Sequence, residues 1–326
     1  MSIVTEITEI QNVPERMERL KPIIAKALKG NRMIDILGMP LEDWLVLRAM
    51  LGIGGSDVST ALGINEYKTP YELWKEKVGD TIDAKDNDIL WFGREVEDLI
   101  AKGYTRVTGR EVIEDPYIRI HPKYDNLFVD LDRIIVDNGD GRGPGVLECK
   151  STEYSVYKTW LESIPINYYC QVQHELSITG FKWATLAVLV GRKVKVIPIE
   201  RDEEYIEKQN LALVGWYNAY VKNMVPPERQ AADYAYVDPI AGSVKEANDE
   251  IITIIDTLKE KQETEKALKT EIDQLKDKVK EFAGDDEAIG REGEIIATYK
   301  MIHKKAYEVK AKSYRELRFK DLSCSS

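Results

Sequence analysis

The residues whose types and spacing could do chemistry are two carboxylates and a lysine. In the run Phe128-Val-Asp-Leu-Asp-Arg-Ile-Ile135, strand alternation puts Asp130 and Asp132 on one face and Val129, Leu131 and Arg133 on the other. In Val146-Leu-Glu-Cys-Lys150, Glu148 and Lys150 share a face. Between them lies Asp137-Asn-Gly-Asp-Gly-Arg-Gly-Pro-Gly145, a turn-rich stretch. A hairpin centred near Asp140 sets Asp132 opposite Glu148, where paired Cβ atoms are about 4.5–5.5 Å apart. Two carboxylates that close repel unless one protonates or a cation sits between them. Mg²⁺, or Mn²⁺ in its place, accepts such oxygens, and the backbone carbonyl of Cys149 is a further candidate ligand. A metal there polarises a phosphoryl oxygen and acidifies a bound water, while the Lys150 ammonium orients that water or stabilises developing charge. The same residues also read as an ion pair on a solvated hairpin, and spacing alone leaves both readings open.

The elements that must position these groups follow from periodicity. Residues 1 to about 42 read as helical, with Leu20, Ile23, Ile24, Ala27 and Leu28 at helical spacing. A second helix is expected from Glu42 to Met50, then a short one from Asp57, with Ser56 as its N-cap after two glycines. Further helices are expected from Pro70 to Val78, from Ile89 to Thr108 and from Ile166 to Thr179. Strands are expected over 126–136, 145–150, 183–190 and 194–200, and a helix-rich stretch runs over 202–224 to Pro226-Pro227. This is an α/β fold, a mixed sheet flanked by helices.

Beyond it the pattern changes. Alternating steps of three and four from Val244 give Ala247, Ile251, Ile254, Leu258, Lys261, Glu265, Leu268, Ile272, Leu275, Val279 and Phe282. Lys261 and Glu265 are the two polar members of this heptad seam, which suits a long coiled-coil-like helix. The residues from Glu294, and then Ser313 to Phe319, suggest a small β element, and the stretch from Lys300 to Lys320 is strongly basic. The expected organisation is a helical segment over 1–42, a main domain over 43–232, the heptad helix over 240–284 and a small β and basic element over 285–326.

Composition narrows the function classes. With 326 residues and 43% apolar content, the chain can bury a sizeable core. A net charge of −11 argues against a protein that coats nucleic acid nonspecifically, but not against an enzyme with a local basic groove. Cys149, Cys170 and Cys324 lack metal-ligand spacing, so neither zinc nor an iron–sulfur cluster is expected. No apolar run is long enough to span a membrane and no secretory leader is visible, which sets the expected location as the cytoplasm.

Six ordered motifs now matter together. They are Trp44-Leu-Val-Leu-Arg48 with Gly52-Ile-Gly-Gly-Ser-Asp57; Phe92-Gly-Arg-Glu-Val-Glu97; Asp132 in its strand; Leu147-Glu-Cys-Lys150; and Tyr168-Tyr-Cys-Gln-Val-Gln173. Beyond these six, the tail of the domain fits as well, with Ala187-Val-Leu-Val-Gly191 and Ile199-Glu-Arg-Asp202. Over about residues 40–230 the chain resembles the lambda-type exonucleases, or YqaJ-like viral recombinase family, of the PD-(D/E)XK nuclease superfamily. The resemblance implies the PD-(D/E)XK restriction-endonuclease-like core and a metal-dependent DNA exonuclease. In it Asp132, Glu148 and Lys150 are catalytic, Glu97 and Gln171 assist, and Ser56 with Arg48 receive a DNA 5′-phosphate. Arg48 stands one residue further from the serine than the family's usual spacing, and Asp130 replaces a residue that is more often small. The glycine turn lacks the Gly-Lys-Ser/Thr ending of a nucleotide-binding loop, so ATP is not expected.

The resulting expectation is a Mg²⁺-dependent exonuclease acting on ends of linear double-stranded DNA, in the 5′-to-3′ direction. It would supply single strands to a phage single-strand annealing protein in a bacterial host, as a ring-like homo-oligomer such as a trimer. The competing readings are another PD-(D/E)XK endonuclease or repair nuclease, and a non-catalytic recombination scaffold.

Overall fold

Two eight-residue strands, Gly145–Thr152 and Trp183–Val190, form the centre of the molecule's main sheet; the second is apolar on both faces, as a strand covered on both must be, whereas the first carries Glu148 and Lys150 on one of its faces. The computed structural model describes residues 10–80, 82, 88–160, 162–234, 244–292 and 294–300. The chain divides into two compact units, Met1–Asp233 and Tyr234–Ser326.

The first unit begins with α1 (Val13–Lys29), β1 (Met33–Asp35), α2 (Leu41–Leu51), the short α3 (Val58–Ala61) and α4 (Pro70–Lys77). Then come α5 (Asp88–Thr108), β2 (Val112–Ile113), β3 (Tyr117–Ile120), β4 (Phe128–Asp130), β5 (Arg133–Ile135) and β6 (Gly145–Thr152). It closes with α6 (Tyr154–Trp160), α7 (Ile166–Thr179), β7 (Trp183–Val190), β8 (Lys193–Glu200) and α8 (Glu203–Trp216), which runs on into a π-helical stretch, Tyr217–Lys222.

The five-stranded sheet has the order β2-β5-β6-β7-β8, with β6 and β7 parallel and the other pairs antiparallel. Alternation along β6 sorts its side chains between two cores. Leu147 and Cys149 join Val96, Ile100 and Tyr104 of α5, whereas Val146 lies in the core that includes Cys170, Val172 and Leu176 of α7. Glu148 and Lys150 therefore share the face of Val146, toward α7. The expected α/β class is what the chain adopts: a mixed sheet flanked by helices.

Three expectations change. Residues 33–35 are strand rather than helix: α1 stops at Gly30, and β1 pairs antiparallel with β3 in a second, three-stranded sheet of order β1-β3-β4. The run 126–136 is not one strand. It breaks at Leu131 and Asp132, so β4 pairs with β3 in one sheet and β5 with β6 in the other. Ser56 does not cap a helix. It lies inside a 3-10 turn, Gly55–Asp57, and the Asp57 carboxylate takes the Gly54 N–H at 3.0 Å.

That turn is anchored from below. Lys77 Nζ lies 2.6 Å from Asp57 Oδ2, with side-chain exposures of 4% and 9%. At Gly52, where φ is +112°, a Cβ would fall 2.4 Å from the Asn126 carbonyl oxygen, so only glycine lets the chain pass there.

In the second unit, α9 (Asp249–Ala283) is one uninterrupted helix, opened by Asn248, whose Oδ1 accepts the Ile251 N–H. The first two seam positions, Val244 and Ala247, precede it. β9 (Ala288–Arg291) and β10 (Glu294–Thr298) form an antiparallel hairpin. The basic residues after Lys300 and the expected strand Ser313 to Phe319 lie outside the described residues. No described helix is long and apolar enough to cross a membrane.

The Asp57–Lys77 pair generates a stability prediction. Burial opposes the charge on Asp57, but Lys77, with Lys68 and Arg48, holds its carboxyl well below the ordinary range. Lys77→Met should cost about 3–5 kcal/mol in urea unfolding, because it leaves a buried charge unpaired. A depressed native pKa stabilises fully above the ordinary Asp value of about 4, and this contribution is lost as pH falls toward the native value. The parent should therefore lose more stability than the variant on acidification below about pH 4.

Candidate active site

β5 and β6 pair with Arg133 opposite Leu147 and Ile135 opposite Gly145, a register whose next step sets Asp132 against Glu148. The hairpin is thus centred at Asp140, although Asp132 itself has left the ladder. Its carboxylate does what the missing strand would have done: Asp132 Oδ2 accepts the backbone N–H of Cys149 at 2.7 Å. In extended chain, a residue's N–H and C=O point to the same side. The Cys149 carbonyl therefore lies on the edge of β6 that Asp132 occupies.

Glu148 is 2% exposed and its Oε1 is shared between two donors. Lys150 Nζ lies 2.5 Å from it and Gln171 Nε2 2.6 Å. Gln171 reaches it because α7 packs across this face of β6; the same amide nitrogen also donates to Glu175 Oε1 at 3.0 Å, one helical turn on. Gln173, two residues along, points elsewhere: its amide bonds the Glu200 carbonyl and the Asp202 N–H. His174 is fully buried, with Nε2 3.0 Å from the Phe128 carbonyl oxygen, a structural role.

Glu97 of α5 approaches from the other side. Its Oε1 is 2.5 Å from Arg133, which also donates to the Asp132 carbonyl. A third group faces the same space. Arg48 donates to Ser56 Oγ at 2.9 Å, lies 3.7 Å from Asp130 and stacks over Trp44, 4.6 Å from the ring centroid. Asp130 in turn accepts the Trp44 indole N–H at 2.9 Å.

All seven side chains expected at the site, Arg48, Ser56, Glu97, Asp132, Glu148, Lys150 and Gln171, line one cavity of about 410 Å³. Arg133, Asp130 and Trp44 line it as well. Glu175, beneath it and 1% exposed, escaped the sequence reading. The signal was present, since Glu175 follows Gln171 at the i,i+4 spacing that stacks side chains on a helix.

The electrostatics are those of crowded acids. Burial, and then Glu148, push the Asp132 carboxyl well above its ordinary pKa. Glu175 is raised likewise by burial, Glu148 and Asp132. Burial raises Glu97 against the opposing Arg133, and raises Asp130 against Arg48. Burial works against the Lys150 charge, but Glu148 and Asp132 hold its pKa above that of an ordinary lysine. Lys150 is therefore a firm ammonium, a donor and not a proton acceptor.

Among the described residues, no group of three or more His, Cys, Asp or Glu is placed as a ready metal cage. The donor set still suits a hard divalent cation. Asp132 and Glu148 supply two side-chain oxygens whose repulsion such a cation would relieve, and the buried Glu175 Oε2 has no hydrogen-bond partner. Mg²⁺ commonly binds through one or two carboxylates with water completing its shell.

Residues 43–182 match the YqaJ-like viral recombinase domain. Over 185 residues the chain is 37% identical to the uncharacterized protein YqaJ of Bacillus subtilis, a match covering 55% of this chain and 56% of that one. The chain thus spans about half the length of the curated relative it matches. Among solved structures, an alkaline exonuclease from Laribacter hongkongensis aligns at 20% identity with a TM-score of 0.47, covering 56% of this chain and 94% of that one. A phage related exonuclease from Haemophilus somnus aligns at 13% identity and 0.41, covering 54% and 97%.

Glu175 offers a test of the acid crowding. A carboxyl whose native pKa is raised stabilises fully below its unfolded value, about 4.3, and loses that contribution as pH rises through the native value. Without divalent ions, Glu175→Gln should match the parent near pH 4 and exceed its stability at neutral pH, read by thermal unfolding across that range. A parent that stays the more stable at neutral pH would show that Glu175 is held there as a needed charge.

Proposed function

We propose that this chain is a metal-dependent nuclease that degrades linear double-stranded DNA from its ends, in the 5′-to-3′ direction. The observation that carries the reading is the single cavity lined both by Asp132, Glu148 and Lys150 and by the Arg48–Ser56 pair. The YqaJ-like viral recombinase domain over residues 43–182 supports it.

In this reading Asp132, Glu148 and the Cys149 carbonyl hold Mg²⁺, or Mn²⁺ in its place. When bound, the ion polarises the scissile phosphate and acidifies a water. The chain's own groups do the rest. Lys150, kept charged by its acidic neighbours, donates to the attacking water or to the phosphoryl oxygens as negative charge develops. Gln171 fixes the rotamer of Glu148 through its amide N–H and is itself held by Glu175. Arg133 orients Glu97 and ties it to the backbone at Asp132. Arg48, flattened against Trp44 and bonded to Ser56, presents a planar cation that suits a terminal phosphate. A DNA end seated there would place a phosphodiester before the acidic pair. The single strand left behind suits a single-strand annealing protein as the partner in recombination, with the nuclease working as a ring-like oligomer in the cytoplasm of a phage-bearing bacterium.

The test is digestion of linear and circular duplex DNA with Mg²⁺. Linear DNA should be degraded and a covalently closed circle left intact; cutting of the circle would favour an endonuclease. Glu148→Ala and Lys150→Ala should each lower the rate about a hundredfold or more. Activity surviving in both variants would overturn the site assignment. Mg²⁺ should also raise the thermal midpoint of the parent and not that of Asp132→Asn, since an ion that binds only the native state stabilises it.

A further inference from the structure

We propose that α9 is the contact helix for a second copy of this chain, and that the two helices pair antiparallel about Glu263. α9 is 35 residues of uninterrupted helix, about 52 Å long, whose apolar residues recur on a heptad seam. That seam is left open: Ile251, Ile254 and Leu258 are 45%, 47% and 38% exposed, and Leu268, Ile272 and Leu275 are 54%, 41% and 54%. A seam of this period fits the matching seam of another helix, because a 3.5-residue repeat keeps one stripe facing one partner over many turns.

The two polar seam positions name the partner and its direction. Lys261 and Glu265 are adjacent on the seam, opposite in charge, and flanked on each side by apolar residues. In a parallel pair each would face its own copy, ammonium against ammonium and carboxylate against carboxylate. In an antiparallel pair with its two-fold axis at Glu263, Lys261 of each helix meets Glu265 of the other, giving two ion pairs. The same register then stacks apolar on apolar throughout, Leu258 on Leu268, Ile254 on Ile272 and Ile251 on Leu275. Of the two directions in which copies of the helix can pair, the antiparallel one brings both polar residues against an opposite charge.

The hairpin beside the helix fits the same register. Together, β9, β10 and the later part of α9 leave a largely apolar groove of about 400 Å³, lined by Ile272, Leu275, Val279, Ile289 and Ala297. The antiparallel register delivers Ile254 and Ile251 of the second copy to Ile272 and Leu275, at that groove. The charged seam pair thus acts as a register and polarity device, as polar residues at core positions do in paired helices.

The experiment uses the full chain carrying Cys324→Ser, so that the other native thiols are the buried Cys149 and Cys170. Leu258→Cys and Leu268→Cys variants are treated with a short bismaleimide, alone and mixed. Antiparallel pairing predicts a cross-linked dimer in the mixture and none from either variant alone; the cross-link reads the α9 contact itself. Self-cross-linking of each variant alone, or no cross-link in the mixture, would overturn the proposal. In sedimentation, Lys261→Glu should weaken association about tenfold or more, since it sets two like-charge pairs in the seam. The Lys261→Glu/Glu265→Lys double variant should restore it. A single reversal that leaves association unchanged, or a double variant no better than the single, would also refute it.

Discussion

The bond from the Cys149 N–H to the Asp132 carboxylate is the point on which the first unit turns. At Leu131 and Asp132 the chain leaves one sheet for the other, with β4 pairing to β3 and β5 to β6. A strand exchange strips a central strand of a backbone partner, and an unpaired buried N–H is costly. Here a side chain takes the place of the missing strand. The break therefore does two things at once. It joins the two sheets, and it fixes an acid at the edge of β6 beside Glu148, where a continuous strand would have spent that edge on ladder bonds.

From that joint the rest of the cavity follows by packing. Alternation along β6 sends Glu148 and Lys150 toward α7, so the helix face that meets them must carry polar groups amid an apolar core. Gln171 and Glu175, one turn apart, are those groups. The arrangement sits near the limit of what burial allows, since Asp132 and Glu175 both resist ionisation and Lys150 must neutralise a crowded corner. Such an array is stable enough to fold but is unsatisfied electrostatically, a state that favours an incoming cation. The same cavity also presents a cation. Arg48 is braced by Trp44 and Asp130 and offered to the same space, so buried acids and a fixed cation line one cavity.

Much of this was legible in the residues, and what was missed has physical reasons. The two-residue alternation and the symmetric turn gave the register of β5 on β6, because glycine-rich turns leave few ways to close a hairpin. Helices such as α7, bounded by Pro165 and Gly180, carry their limits in their own chemistry. The exchange at Leu131 was hidden because Phe128 to Ile135 reads as one alternating strand; nothing local distinguishes a strand that changes sheets. Likewise Met33 to Asp35 is strand only because β3 is there to pair with it. Ser56 looked like a cap by composition, but the Asp57 carboxylate closes the turn by accepting the Gly54 N–H, and the serine hydroxyl is left for Arg48. The Asp57–Lys77 pair is a contact between residues 20 apart whose burial no local pattern announces.

The acidic balance of the whole chain takes on a specific meaning in this light. A net charge of −11 would repel DNA if it were spread evenly, and association would then be slow and salt-sensitive in the wrong direction. The structure concentrates its acids differently in the two units. In the first, carboxylates gather inside a cavity, where a divalent ion can invert the local sign. In the second, α9 interleaves acids with lysines along its exposed sides and reserves one opposed pair for the seam. The buried acid cluster suits a divalent cation, and in the pairing proposed above the lysine–glutamate pair of α9 suits a second copy of the helix. In the first unit the rule is one of solvation: carboxylates that water cannot fully solvate stay electrostatically unsatisfied until an opposite charge meets them.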